Sequence, residues 1–178
     1  MWRRSAAGWD RTVLLGSEVL IDLMRGDQGA ERLLEGLLSG TDPVGISAIT
    51  VMQLYHGVSR SAVPSAEVDR IERALKGIAT YGLTQDVAAQ AGRIEGELVA
   101  RSEAIDPADV ILGSTALARN GSVVTRNARP FSRIDGLRLV GYQGIPEPAA
   151  RSRSDEDPRG CGSHVARLTR GFSWRTRT

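Results

Sequence analysis

The sequence is short of several things, and each shortage closes off a class of protein. Its 178 residues include one cysteine, Cys161, so no disulfide can form within the chain. That fits a reducing compartment, and a cytoplasmic location is the expectation. There are two histidines, His56 and His164, and no zinc-type Cys/His spacing. No Gly-x-x-x-x-Gly-Lys phosphate loop is present. No Ser–His–Asp constellation is credible, because His164 sits in the C-terminal tail. Aromatics make up 4% of the chain, which points to an aliphatic core. No apolar run approaches the ~18 residues that a membrane span needs, so no membrane association is expected. Arg3 and Arg4 precede only the short apolar stretch Val13–Leu15, far below a signal h-region of roughly 7–15 residues. Residues 1–11 read as a flexible leader.

An excess of charge is also missing. The formal net charge is +2, too small to announce a nucleic-acid partner. Residues 1–144 hold 16 basic and 17 acidic groups, a net of −1, and residues 145–178 hold 7 and 4, a net of +3. The positive balance therefore belongs to the tail.

What remains, 41% hydrophobic and 25% charged residues, suits one globular domain with room for a core. Thr12–Leu15 reads as a buried strand ended by Gly16. Ser17 caps a helix with Val19, Leu20, Leu23 and Met24 on one face, stopped by Gly26. Ala30–Leu38 is a second amphipathic segment with Leu33, Leu34, Leu37 and Leu38 inward. Pro43–Ser47 is a second strand. Thr50-Val51-Met52-Gln53 has the capping-box form and opens a third helix. Ser65 caps a fourth, Ala79–Leu83 is a weak strand, and Gln85–Ser102 has the cleanest helical spacing in the chain. Asp106 as N-cap, Pro107 at N1 and Asp109 at N3 open the next helix, which Asn120-Gly121 ends. Ser122–Thr125 is a strand, Asn127–Phe131 a loop or short turn, and Leu137–Val140 a last strand. Strands alternating with helices imply βαβ units and a mainly parallel sheet. Sites in such sheets form beyond the carboxyl ends of the strands. From Ile145 to Thr178 apolar periodicity is almost lost, and a disordered tail is expected. Its Arg159, Arg167, Arg170, Arg175 and Arg177, with Phe172 and Trp174, read either as an RNA-binding arm or as an extension without function.

Four stretches carry a family likeness: VLLGSEVLID (13–22), ISAITVMQLYHG (46–57), IDPADVILGSTAL (105–117) and VVTRNARPF (123–131). In order and separation they resemble the PIN-domain family, in particular the VapC-type toxins of toxin–antitoxin pairs. The resemblance implies a three-layer α/β/α domain over residues 12–144. It also implies a metal-dependent endoribonuclease that gathers acidic residues around Mg²⁺ or Mn²⁺, a homodimer, and a cognate small antitoxin as partner. RNA phosphodiesters are anionic and water is a weak nucleophile. Bound cations activate the water and offset charge on the phosphate, and Mg²⁺ requires oxygen ligands.

Carried over residue by residue, the family's first Asp falls on Gly16, its Glu on Gln53, its helix-start Asp on Asp109 and its last acid on Asn127. One carboxylate of the four is kept. Asp109 is therefore the catalytic and metal-binding candidate, although a first-turn acid is also simply favoured by the helix dipole. Glu18 is a surrogate ligand or an ordinary first-turn acid. Asp22, one turn on, is expected in solvent. Gln53 keeps a capping role while lacking the charge, and Asn127 is a weak ligand or a turn residue. Arg126, Arg129 and Arg133 are candidates for RNA phosphates or a solvated loop. His56 is expected to pack. Two readings stay open: a weak nuclease, or an inactive relative that keeps antitoxin or RNA binding.

Overall fold

The computed structural model describes residues 11–142. The expected leader up to residue 10 and the tail, with Cys161, His164 and the arginine-aromatic run, lie outside the described residues.

In chain order the elements are β1 (Val13–Leu15), α1 (Ser17–Met24), α2 (Gln28–Leu38), β2 (Val44–Ser47), α3 (Ala48–Val58) and α4 (Pro64–Leu75). They continue with β3 (Ala79–Tyr81), α5 (Gln85–Ala100), α6 (Pro107–Ala118), β4 (Ser122–Thr125), α7 (Ala128–Phe131) and β5 (Arg138–Gly141). Among the described residues the strands form one five-stranded sheet in the order β3-β2-β1-β4-β5. Every pairing is parallel, for example Leu14 with Gly45 on one side and Val123 on the other. The chain leaves β1 toward β2 and later returns to β4 on the other side. The topological switch point thus lies between β1 and β4.

The strands read as continuous apolar runs because both faces are covered. Alternation sends Val13 and Leu15, with Val124, into a core shared with Val19 and Leu20 of α1, Leu34 of α2, Leu54 of α3 and Ile71 of α4. It sends Leu14 and Val123 into a second core with Ala91 and Leu98 of α5, Val110, Leu112 and Ala116 of α6, and Phe131. That is the expected three-layer arrangement. Each fully buried Leu contributes about 2 kcal/mol.

Several local expectations are corrected. The helix after β2 starts at Ala48, with Ser47 as an N-cap that makes no side-chain cap bond. The strand runs straight into the helix, so Thr50 and Gln53 sit inside it and form no capping box. Ser47 instead places its hydroxyl 3.2 Å from that of Thr115. The fourth helix starts at Pro64, not behind a Ser65 cap. Leu38 is 54% exposed rather than inward, because α2 turns it past the edge of the core. The short turn read at Asn127–Phe131 is present as one helical turn, α7 (Ala128–Phe131), with Asn127 as its N-cap.

The end of α6 shows why Asn120-Gly121 stands where it does. Asn120 takes a left-handed φ of 49°, which Asn tolerates. The Gly121 N–H then closes onto Ala116 O at 2.8 Å. A Cβ at Gly121 would press into the Thr12 carbonyl, the acceptor that starts the β1–β4 ladder. No helix among the described residues is long and apolar enough to cross a membrane. Gly121→Ala should destabilise the fold by roughly 1–3 kcal/mol, because backbone must move at the central strand pair. Urea unfolding followed by circular dichroism measures this.

Candidate functional site

The carboxyl ends of β1 and β4 lead into α1 and α7, so residues 16–18 and 125–127 meet across the switch point. Gly16, not Ser17 as expected, is the buried N-cap of α1, because Ser17 is already the helix's first residue; Gly16 brings no side chain. Side chains in the first turn of a helix lean back toward its N-terminus, and Glu18 does so. Its Oε1 accepts hydrogen bonds from the Thr125 hydroxyl and from the Arg126 N–H at 3.1 Å. Thr125 Oγ1 in turn accepts from the Asn127 N–H at 3.0 Å. A Cβ placed on Gly16 would lie 2.6 Å from Glu18 Oε2 and 2.8 Å from Oε1. The Glu18 carboxylate therefore fills the space that a longer residue 16 would claim.

Asp109 enters the same region from the first turn of α6. Asp106 caps that helix, accepting from the Ala108 N–H at 2.7 Å. Asp109 is half-buried, and its pKa is pushed up to about 6 by burial first, then by the charges of Asp106 and Glu18. A carboxyl held up by burial and by neighbouring negative charge marks an electronegative spot, the kind of place a cation enters.

Beneath it lies a second polar group. Asp22 is fully buried, not in solvent as its helical position suggested, because α1 turns it inward against the β4–α7 turn. Its Oδ2 is 3.4 Å from Arg126 Nε and 3.3 Å from the Tyr142 hydroxyl, while Oδ1 has no partner among the described residues. Tyr142 also donates to Asp27 Oδ1 at 2.9 Å. Burial raises its pKa further above the usual range, and the Ala30 N–H holds the Asp27 carboxyl below its own. Arg126 thus faces two ways, its guanidinium to Asp22 and its backbone N–H to Glu18.

The other candidates are scattered. Gln53 is half-buried in α3, and Asn127 is exposed as the N-cap of α7. His56 is exposed rather than packed, because it lies with Met52 and Tyr55 on the outer side of α3 while Leu54 and Val58 face the core. Arg133 does not join a solvated loop: it reaches the carbonyls of Glu103 and Ala104, both at 3.2 Å, and ties down the α5–α6 connection. Arg129 remains exposed. Thr125, Asp22 and Tyr142 carry no local sequence signal as site residues. Only the i,i+4 spacing of Glu18 and Asp22 places those two acids on one side of α1.

Among the described residues no three His, Cys, Asp or Glu side chains gather closely enough to hold a metal by themselves. Two carboxylates are nevertheless enough for Mg²⁺, which keeps several waters and is bound through one or two carboxylates plus substrate phosphate. The Gly16 cradle filled by a carboxylate, with Asp109 beside it, fits a hard divalent cation.

A parallel sheet that presents acids at its central switch point defines a class of α/β domains with cation-ready carboxyl ends. Within that class the chain belongs to the PIN domain family, whose pattern matches residues 13–137. It is similar to the tRNA(fMet)-specific endonuclease VapC of Salmonella typhimurium, with 29% identity over 112 residues, 63% of this chain and 85% of that protein. Its fold is similar to that of a chain in the structure of VapBC2 from Rickettsia felis bound to a DNA fragment from their promoter, at a TM-score of 0.69 and 24% identity over 74% of this chain and 99% of that one. A toxin–antitoxin complex from Klebsiella pneumoniae matches with a TM-score of 0.56 and 26% identity over 72% of this chain and 95% of that one.

Without divalent cations, the Asp109 carboxyl should titrate near pH 6 by NMR, and Glu18→Gln should move that midpoint down. Because the folded pKa is raised, Asp109 costs stability as pH rises through about 6. Asp109→Asn should melt with wild type near pH 4 and above it at pH 8. Arg126→Met leaves Asp22 buried without its cation and should cost roughly 3 kcal/mol in urea unfolding.

Proposed function

We propose that the chain is a metal-dependent endoribonuclease of the VapC toxin type. The observation that carries this reading is the meeting of Asp109 and Glu18 at the β1–β4 switch point of a PIN domain. The similarity to a tRNA-cleaving VapC supports RNA as substrate. The toxin–antitoxin complex among its structural relatives supports a small cognate antitoxin as the controlling partner. Residues 12–144 form the catalytic domain in this reading, acting as a cytoplasmic homodimer, with Mg²⁺ or Mn²⁺ as the cation.

Asp109 and Glu18 supply the charged oxygen ligands, and Gln53 and Asn127, which stand where the family has its other two acids, bring no charge. When bound, the cation lowers the pKa of an attacking water and offsets charge developing on the phosphate. Thr125 and the Arg126 N–H hold Glu18 in place. Arg129, exposed on α7, is better placed for an RNA phosphate than Arg126, whose guanidinium is engaged by Asp22. At an effective dielectric of about 20, two unit charges ~4 Å apart interact by about 4 kcal/mol. Amides at residues 53 and 127 therefore weaken the hold on the cation, and slow cleavage follows.

Structured and single-stranded RNAs incubated with the protein should be cut with Mg²⁺ or Mn²⁺ and left intact with chelator. Asp109→Asn should lose more than about a hundredfold in rate, since even outer-shell partners of a metal site are worth ten- to a hundredfold. Equal cleavage by that variant would remove Asp109 from the chemistry.

A further inference from the structure

The geometry points to Glu18 as a relocated metal ligand: it takes over the position of the missing first acid, and Gly16 is the residue that makes this possible. The inference deepens the proposed metal-dependent function and rests on it for the identity of the ligand.

An acid at the end of β1 would project from residue 16 into the space between β1 and the β4–α7 turn. Here that space holds the Glu18 carboxylate, whose oxygens lie 2.6 and 2.8 Å from where a residue-16 Cβ would stand. The helical lean of a first-turn side chain and the extra methylene of Glu over Asp supply the reach. Oε1 is committed to the Thr125 hydroxyl and the Arg126 N–H, both anchored on β4 and its turn. Oε2, the oxygen nearer the cradle, has no hydrogen-bond partner among the described residues. A carboxylate pinned by one oxygen and open at the other is preorganised as a monodentate ligand. Asp109 stands on the facing helix α6.

Acids at residues 16 and 18 are therefore alternatives, not additions. Gly16→Asp does not repair the site. Its Cβ expels Glu18 from its two donors and leaves the number of ligands unchanged at best. A side chain at residue 16 becomes useful only when Glu18 has been removed.

The test is Mn²⁺ binding by calorimetry to the full, chelator-stripped chain without RNA, so that cleavage plays no part. Wild type should bind. Glu18→Gln and Glu18→Asp, the second too short to reach, should bind at least about tenfold more weakly. Gly16→Asp alone should bind no more tightly than wild type, and Gly16→Asp with Glu18→Gln should recover affinity over Glu18→Gln. Thermal melts in chelator separate a lost ligand from a lost fold. Wild-type affinity in both Glu18 variants overturns the relocation, as does tighter binding by Gly16→Asp alone or no Mn²⁺ binding by wild type. Glu18-dependent binding in a chain that cuts no RNA upholds the relocation and defeats the nuclease reading. Metal-dependent cleavage with Mn²⁺ affinity unchanged in both Glu18 variants does the reverse.

Discussion

Glu18 bridges the two central strands. Its backbone belongs to the first turn after β1, and its carboxylate is bonded to the hydroxyl of Thr125 and the N–H of Arg126 at the end of β4. In a parallel sheet these two strand ends adjoin, and the last backbone bond between them runs from the Gly16 N–H to Val124 O at 3.0 Å; beyond it the ladder stops. A side chain has to close the gap, and with glycine at residue 16 it comes from residue 18. That contact and the Arg126–Asp22 ion pair are side-chain ties between α1 and the Thr125–Arg126 end of β4.

The same region holds three acids in a partly dehydrated space, and the chain handles each differently. Asp22 is fully buried and lies against the Arg126 guanidinium. Glu18 is half-buried and carried by two hydrogen bonds. Asp109 has neither support, so burial and its acidic neighbours push it toward the neutral form near pH 6. A buried charge is tolerated only with a partner. Asp109 is the acid whose partner the described residues do not supply, and an incoming divalent cation would meet that need. Arg126 serves both: its side chain balances the fully buried acid while its backbone N–H holds the half-buried Glu18.

Much of the scaffold was legible from short-range pattern. The Asp106 cap with Pro107 behind it, the Asn120-Gly121 stop and the apolar strands need only neighbours a few residues away, and the structure has them where that pattern puts them. The misses are of two kinds, helix starts displaced by a residue or two and side chains whose partners lie far along the chain. Thr50 to Gln53 reads as a capping box, but β2 feeds directly into α3 and the helix starts at Ala48. Asp22 reads as solvent-facing until β4 and Tyr142 close over it. Arg133 reads as a loop charge until the α5–α6 connection offers it two carbonyls. In the site, Asp109 was legible as an acid at a family position. Whether Glu18 was a helix-start acid or part of the site rested on residues 107 and 108 positions away.

By itself the sequence determined the order of strands and helices, the parallel sheet, and the loss of acids at residues 16, 53 and 127. Hydrophobic periodicity and capping act over a turn or two of chain, and residue identity needs no fold at all. Only the tertiary structure decided where the Glu18 carboxylate goes, that Asp22 is buried against Arg126, and that Asp109 stands among other acids. Those outcomes depend on the β1–β4 pairing, which brings together segments more than a hundred residues apart. Charge and burial there are properties of the assembled strand ends, and no local stretch of sequence contains them.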